Sequence, residues 1–185
     1  MRRSVILGVG VAAIFAMNLC GCVLRRGIVF TDKFSNFDRN KWKETEGSIS
    51  VDEGVLTIDC EGNRKGYIRH LLSASKWRVV EVRAKVDEVY GAFVGDILAN
   101  PGSIYYNRRG SFCIWENSQK PFADGDREWH IWKIVRTEKG VDIYMDGKYL
   151  ITNTQYDPTE VTLGNSLADQ NHGVRVSYDW IKVKK

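Results

Sequence analysis

After residue 30 the chain is dominated by apolar and polar side chains that alternate with a period of two. Segment 77–89 (WRVVEVRAKVDEV) places Val80 and Val82 on one face and charged residues on the opposite face. A strand packed against a core on one side shows this pattern, because successive side chains point to opposite faces of a sheet. Segment 54–60 repeats the alternation. The pattern therefore predicts a body made of strands.

Further strand-like segments recur roughly every ten residues, with Gly, Asn, Asp and Ser between them. They are 66–72, 91–98, 103–107, 111–116, 129–137, 141–145, 149–154, 160–163 and 173–183. Asp146-Gly147 suits a two-residue type I′ hairpin turn, because glycine adopts the positive φ that this turn requires. Lys139-Gly140 makes a similar break. These features predict an all-β fold, an antiparallel sandwich or barrel.

The first 22 residues have a different character. Arg2 and Arg3 precede an uncharged apolar run at 5–17. This run suits the apolar part of a secretory signal and is too short for a membrane-spanning helix of ~20 residues. It ends in Leu19-Cys20-Gly21-Cys22, which resembles the bacterial lipobox, whose final cysteine is lipidated. We expect lipidation of Cys22, with an ordinary secretory signal as the alternative.

This interpretation divides the chain into a lipoprotein signal peptide at 1–22, a short linker at 23–27 and one domain at 28–185. The lipid chains on Cys22 would anchor the protein to a membrane of the bacterial cell envelope. Val23 follows the lipidated cysteine, where the enterobacterial sorting rule has Asp for inner-membrane retention. Resemblance to that rule implies the outer membrane if the host is Gram-negative.

The net charge bears on the expected binding partners, and the cysteine content bears on the expected disulfides. The 185 residues carry a net charge of +4, and the two arginines of the signal peptide account for half of it. A nearly neutral domain without strongly basic runs does not predict nucleic-acid binding. After processing, Cys60 and Cys113 remain, and a disulfide and two buried free thiols are equally compatible with their strand-like surroundings.

Several segments resemble the concanavalin A-like lectin and glucanase superfamily. Segment 30–34 with Trp42 is similar to its opening strands, and 176–183 to its last strand. Trp129-His130 followed by 141–148 resembles the penultimate hairpin of laminin-G-like and 3-keto-disaccharide hydrolase-like (DUF1080) domains. The resemblance implies an antiparallel two-sheet β-sandwich, a concanavalin A-like jelly roll. Because this fold hosts lectins, hydrolases, lyases and adhesion modules, it leaves the activity open.

No catalytic spacing of the enzymes in this superfamily is present. Laminarinase-like glucanases carry Glu-x-Asp-x-x-Glu on one strand, which brings the carboxylates together in the cleft. That motif does not occur in this sequence. We therefore predict a carbohydrate-binding protein without an evident catalytic motif. The alternatives are a glycoside hydrolase of the 3-keto-disaccharide type, with a dispersed carboxylate pair, and a non-catalytic adhesion or structural module of the envelope.

Aromatic rings stack on the apolar faces of sugars, while carboxylates, amides and guanidinium groups bind the hydroxyls. On this basis nine residues are expected to line a carbohydrate site on a concave outer sheet face. They are Tyr105, Tyr106, Trp115, Glu116, Asn117, Trp132, Arg136, Asp142 and Tyr144. Packing is the alternative role for each aromatic among them. Trp42, Trp129 and Trp180 are assigned to packing.

No metal site and no cofactor are expected. The acid-rich segment 124–128 (DGDRE) is a possible structural calcium site, but Arg127 and the lack of spaced ligands favour a solvated turn. The histidines are too scattered for a zinc site. We expect His130 on the surface of a strand and not as a catalytic base, because no acid is fixed beside it in the sequence.

Overall fold

The fold is described from a computed structural model. The description covers residues 27–44, 47–61, 65–73, 76–90, 94–107, 109–114, 121–156, 158–166 and 173–185. These residues form fifteen strands, β1 to β15, and contain no helix. Accordingly, no helix within these ranges is long and apolar enough to cross a membrane. The all-β prediction is confirmed. The expected signal peptide, including Cys22, lies outside the described residues.

The larger of the two sheets, sheet A, has eight strands. They are β1 (Ile28–Asp32), β3 (Ser48–Asp52), β4 (Val55–Asp59), β6 (Val79–Val89), β11 (His130–Arg136), β12 (Val141–Met145), β13 (Lys148–Asn153) and β15 (Val174–Lys184). The order is β13–β12–β11–β6–β15–β4–β3, with β1 paired to the C-terminal part of β15. Neighbouring strands in this sheet are antiparallel.

Sheet B has seven strands. They are β2 (Lys43–Glu44), β5 (Gly66–Leu71), β7 (Val94–Asn100), β8 (Ile104–Asn107), β9 (Ser111–Ile114), β10 (Ala123–Asp124) and β14 (Glu160–Asn165). Their order is β10–β9–β8–β7–β14–β5–β2, again antiparallel. Two stacked antiparallel sheets confirm the predicted sandwich.

The core lies between the sheets and is built from every second residue of the strands. Val80 and Val82 of β6 are fully buried there, as the alternation in 77–89 predicts. Trp42 also packs in this core, and its indole N–H donates to the Asp32 carboxylate over 2.8 Å. The packing role predicted for Trp42 is confirmed. The buried Asp32 in turn accepts a bond from the Phe34 amide, so its charge is well satisfied.

The hairpin turn between β12 and β13 has the predicted geometry. Asp146 (φ 50°) and Gly147 (φ 82°) both occupy the left-handed region that a type I′ turn requires.

Both cysteines of the domain are buried free thiols. Cys60 donates to the carbonyl of Gly66 within the core, whereas Cys113 lies on β9 outside the main core cluster. The disulfide alternative is therefore wrong.

Candidate functional site

The side of sheet B that faces away from the core carries polar and aromatic side chains. In β14, Val161 is fully buried in the core, so Glu160 and Thr162 point outward. Register pairing of β5 with β14 places Tyr67 and Arg69 on the same outward side. We call this surface the polar face of sheet B. It combines hydrogen-bonding groups of several kinds on a rigid sheet.

One row of the polar face is buried. Tyr105 pairs in register with Asp96 on one side and with Cys113 on the other. Ser166 donates to one oxygen of Asp96 from its hydroxyl (2.9 Å) and its amide (3.2 Å). Asn107 donates from Nδ2 to the Cys113 sulfur over 3.2 Å. Burial raises the pKa of the Cys113 thiol, so this sulfur remains an uncharged acceptor at neutral pH.

A second row is partly open to solvent, with Thr162 buried and Arg69 and Lys43 more exposed, and is organised around a carboxylate. Asn100, Thr162, Arg69 and Lys43 are register neighbours across β7, β14, β5 and β2. Glu160 accepts from Asn100 Nδ2 (2.9 Å) and from the Thr162 hydroxyl (2.8 Å). Arg69 Nη1 lies 4.0 Å from its other oxygen. The Arg69 side chain is 43% exposed and that of Glu160 is 17% exposed, so a ligand can reach both.

The outward carboxylates are too far apart for glycoside hydrolysis. Asp96 lies level with Ser166, six residues from Glu160, which separates the two acids by roughly 20 Å at ~3.3 Å per residue. Asp124 of β10 is three strands from Asp96, or roughly 15 Å. Glycosidases hold their two carboxyl groups ~5–9.5 Å apart. Within the described ranges, the polar face therefore contains no catalytic carboxylate pair.

Two of the nine predicted ligand-binding residues are core residues. Trp132 packs edge-to-face on Phe112 with ring centroids 4.8 Å apart. Tyr106 also contacts Phe112, at 5.1 Å. The side chains of Tyr106 and Trp132 point into the core, because their neighbours Tyr105 and Ile131 occupy outward positions on the same strands. The expectation that Trp132 and Tyr106 line a carbohydrate site is corrected.

The remaining predicted residues do not converge on one site. Tyr105 lies in the buried row of the polar face, whereas Asp142 and Tyr144 lie on the outer face of sheet A, on the opposite side of the molecule. Asp142 accepts from the Thr152 hydroxyl over 2.6 Å. Arg136 ends β11 and lies over the ring of Trp77. The other three, Trp115, Glu116 and Asn117, lie outside the described residues.

Two tryptophans assigned to packing lie on the outer face of sheet A. Arg83 lies over the Trp129 ring, 4.8 Å from its centroid. Lys182 lies 4.4 Å from the centroid of Trp180. Both rings are half-buried. Their packing partners are therefore cationic side chains of the sheet surface and not the apolar core.

His130 is the residue that sequence reasoning missed most clearly. It is 8% exposed, and its ring nitrogens lie 2.6 Å from Asp126 and 2.6 Å from Asp146. Burial disfavours the charged ring, but the hydrogen bonds to the two carboxylates outweigh burial and raise the His130 pKa. The Asp126 pKa is lowered, first by the amide of Glu128 and then by His130. The expectation of a surface histidine without a neighbouring acid is wrong.

Within the described part of the chain, no three His, Cys, Asp or Glu side chains are grouped as metal ligands. Asp126, at the centre of the acid-rich segment 124–128, instead faces His130 and accepts from the amide of Glu128. The Asp126 carboxylate therefore links segment 124–128 to β11 through its contact with His130.

The sequence matches no protein-family model and no curated protein. Solved structures do match. One belongs to work on endo-acting O-glycanases that human gut bacteria express to initiate mucin breakdown, at 16% identity, covering 85% of this chain and 99% of that chain, with a TM-score of 0.58. The laminarinase catalytic domain of Thermotoga petrophila RKU-1 matches at 14% identity over 85% of this chain and 97% of its own, TM-score 0.58.

A β-glucanase of Bacillus licheniformis is similar as well, at 13% identity over 86% of this chain and 98% of its own, with a TM-score of 0.54. Likeness at such low identity is a likeness of fold. Together with the two-sheet topology, it shows that the chain is a concanavalin A-like jelly roll of the kind found in family GH16 glucanases.

Proposed function

We propose that this protein is an exported, lipid-anchored component of the bacterial cell envelope that binds carbohydrate on the polar face of sheet B without hydrolysing it. The observation that carries the proposal is the open row around Glu160. It offers the Glu160 carboxylate as an acceptor, the Asn100 amide, and the cationic donors Arg69 and Lys43, a mixture that suits sugar hydroxyls. Tyr67, two residues from Arg69 on the same face, supplies an aromatic ring for stacking.

Two further observations support the proposal, one concerning the lack of hydrolysis and the other concerning the class of ligand. The outward carboxylates Asp96, Asp124 and Glu160 are separated by well over the distance that either glycosidase mechanism uses. In addition, the jelly-roll structures that resemble this chain bear names of enzymes acting on glycans. That likeness supports a glycan as the ligand class, whereas the activity itself depends on residues at the site.

Export and anchoring rest on the first 22 residues. A positive start, an apolar run at 5–17 and a lipobox-like Leu19-Cys20-Gly21-Cys22 favour a lipidated Cys22. Mass spectrometry of the amino-terminal peptide from bacterially produced protein tests this directly. We expect a diacylglyceryl group on Cys22, and an unmodified terminus would contradict the anchor.

Affinity electrophoresis of the full chain in a neutral detergent tests the binding site, with laminarin, lichenan or mucin O-glycans in the gel. Arg69→Ala removes a charged hydrogen-bond donor worth about 1.5–3 kcal/mol, so we expect an affinity loss of about ten- to a hundredfold. Arg109→Ala, an exposed arginine beyond β8, is the matched control. Tyr67→Ala is compared with Tyr149→Ala, an exposed tyrosine on β13 of sheet A.

The outcomes separate the alternatives. Loss of binding in Tyr144→Ala, with Tyr67→Ala unaffected, would contradict the polar face and move the site to the outer face of sheet A. Release of reducing sugar that disappears in Glu160→Gln would contradict binding without hydrolysis. Retardation by none of the three glycans in wild-type protein would remove these polysaccharides as ligands.

A further inference from the structure

The end of the sandwich at which the chain enters the fold is rich in basic residues. Backbone hydrogen bonds run from Lys185 N to Gly27 O (2.7 Å), from Arg78 N to Lys184 O (2.7 Å) and from Arg136 N to Arg78 O (2.8 Å). These bonds join the start of β1, the end of β15, the start of β6 and the end of β11 at one edge. We call this edge, defined by Gly27, Arg78, Arg136, Lys184 and Lys185, the basic end.

A shallow groove of about 460 Å³, largely open to solvent, lies at the basic end. It is lined by Trp77, Arg78, Arg136, Thr137 and Glu138. The Trp77 indole N–H donates to the Pro158 carbonyl over 2.7 Å, which fixes the ring. The Arg136 guanidinium lies 5.7 Å from the centroid of that ring, within the range of a cation–π contact. The lining carries two guanidinium groups and one carboxylate, so its net positive charge favours an anion.

The surroundings of the groove are basic and apolar together. Lys76, Lys139 and Lys185 have exposed side chains on the residues that flank it. At the start of β1, Ile28 is 42% exposed and Val29 is 38% exposed. Exposed aliphatic side chains among basic ones are typical of protein surfaces that contact the interface of an anionic membrane.

The tether brings this end to a membrane. Four residues separate Cys22 from Gly27, and the five Cα–Cα steps between the two span at most about 18 Å when fully extended. We infer that the groove binds the phosphate of anionic phospholipid headgroups, with Arg78 and Arg136 as its ligands. Guanidinium groups bind phosphate oxygens in a bidentate manner, which suits this role. The inference rests on the lipid anchor of the proposed function and goes beyond it, because it assigns a headgroup site to the folded domain.

The test uses the full lipoprotein reconstituted in phosphatidylcholine vesicles, with or without phosphatidylglycerol, that contain a headgroup-nitroxide lipid. Quenching of tryptophan fluorescence reports the approach of Trp77 to the headgroups. The Trp77→Phe variant shows how much of the total quenching comes from Trp77. We expect stronger quenching with phosphatidylglycerol, and loss of the increment at high salt. One basic residue near an anionic surface contributes about fivefold, so Arg78→Gln/Arg136→Gln lowers the docking equilibrium about 25-fold.

Controls keep the outcomes distinct. Lys133→Gln/Lys148→Gln removes the same charge elsewhere on sheet A, with Lys148 at the opposite end. This variant should retain the additional quenching that phosphatidylglycerol causes. The single Arg78→Gln variant changes only an exposed side chain, and its docking equilibrium should fall about fivefold. This variant keeps the test valid if the double variant misfolds. Equal loss in both double variants would overturn the inference, since net charge alone would then explain docking.

Flotation at high salt separates the groove from the anchor. Failure of the wild-type chain to float would refute the anchor, and the headgroup site with it. Flotation with quenching that is independent of phosphatidylglycerol would refute the headgroup site alone. Inorganic phosphate titrated into the detergent-solubilised chain is the remaining arm. Saturable binding of free phosphate that requires Arg78, without any effect of phosphatidylglycerol, would assign the groove to a soluble anion and overturn the inference.

Discussion

Asp146→Asn tests whether the His130 contacts stabilise the fold in a pH-dependent manner. Asp146 uses Oδ2 to contact the His130 ring and Oδ1 to accept from the Ile131 amide. Asparagine retains the shape, accepts from Ile131 through its remaining oxygen and tolerates the φ of 50° at this turn position. The substitution therefore removes one of the two carboxylate charges that face His130 and leaves the hairpin intact.

The expected magnitude follows from exposure. A hydrogen bond to a charged group contributes about 1.5–3 kcal/mol when well protected. The Asp146 side chain is 50% exposed, so solvent screening reduces the contribution to about 1–2 kcal/mol. For a chain of this size, 1 kcal/mol corresponds to about 2–4 °C in Tm. We expect Asp146→Asn to lower the Tm by about 2–8 °C in acidic buffer.

The direction of the pH dependence follows from the pKa shifts. His130 has a raised pKa in the folded state, so its stabilisation is fully present below its ordinary pKa of 6.5 and is lost as the pH rises through the folded pKa. The Asp126 pKa is lowered, so its contribution is present above 3.8 and is lost as the pH falls through the lowered value. The stabilisation by these contacts is therefore greatest between these limits.

Thermal and urea unfolding at about pH 5 and about pH 8.5, on either side of the ordinary histidine pKa, measures the effect. The destabilisation by Asp146→Asn should be largest at the lower pH and fade at the higher one, where neutral His130 can accept from the asparagine Nδ2. Asp52→Asn, an exposed carboxylate at the end of β3, is the matched control. A destabilisation that is equal at both pH values would refute the reasoning.

Three further predictions concern the core and the turns. Trp132→Ala should destabilise the fold by about 3–5 kcal/mol in urea unfolding, because it removes a buried ring; a loss below about 1 kcal/mol would contradict its core position. Burial raises the pKa of Cys60 to about 11 and also raises that of Cys113, so iodoacetamide at neutral pH should label neither thiol until the chain is unfolded, as read by peptide mass spectrometry. Gly140→Ala should lower the Tm far more than Gly147→Ala. A Cβ at Gly140 meets a backbone carbonyl of β13, whereas a Cβ at Gly147 meets nothing within 4 Å and costs only about 1–2 kcal/mol for its positive φ.

The strands and the fold class could be predicted from the sequence because they depend on local periodicity. The alternation in 77–89 and the Asp146-Gly147 turn are complete within a few residues, and both are confirmed. The core position of Trp42 was also predicted, from the resemblance. By contrast, the partners of His130 lie in two separate loops, at Asp126 and Asp146, and no spacing rule brings these together.

The polar face of sheet B was not predicted, although part of its signal is in the sequence. In segment 160–163, Glu160 and Thr162 alternate with aliphatic residues, which marks an outward polar side. What the sequence does not contain is the strand order that places Asn100 beside Thr162. In β8, the adjacent Tyr105 and Tyr106 are indistinguishable by composition, and only the register with β7 and β9 decides which ring faces outward.

The pairing of β1 with β15 has a mechanical consequence for a chain held at its amino terminus. Tension on the tether pulls Gly27 along the axis of β1, and the rungs between Ile28–Asp32 and the final strand run perpendicular to that pull. Several backbone hydrogen bonds between β1 and β15 thus share the load in shear, whereas in unzipping the load would fall on one hydrogen bond at a time. If the amino terminus is anchored as proposed, such an attachment would let the molecule resist a pull on the domain without peeling apart.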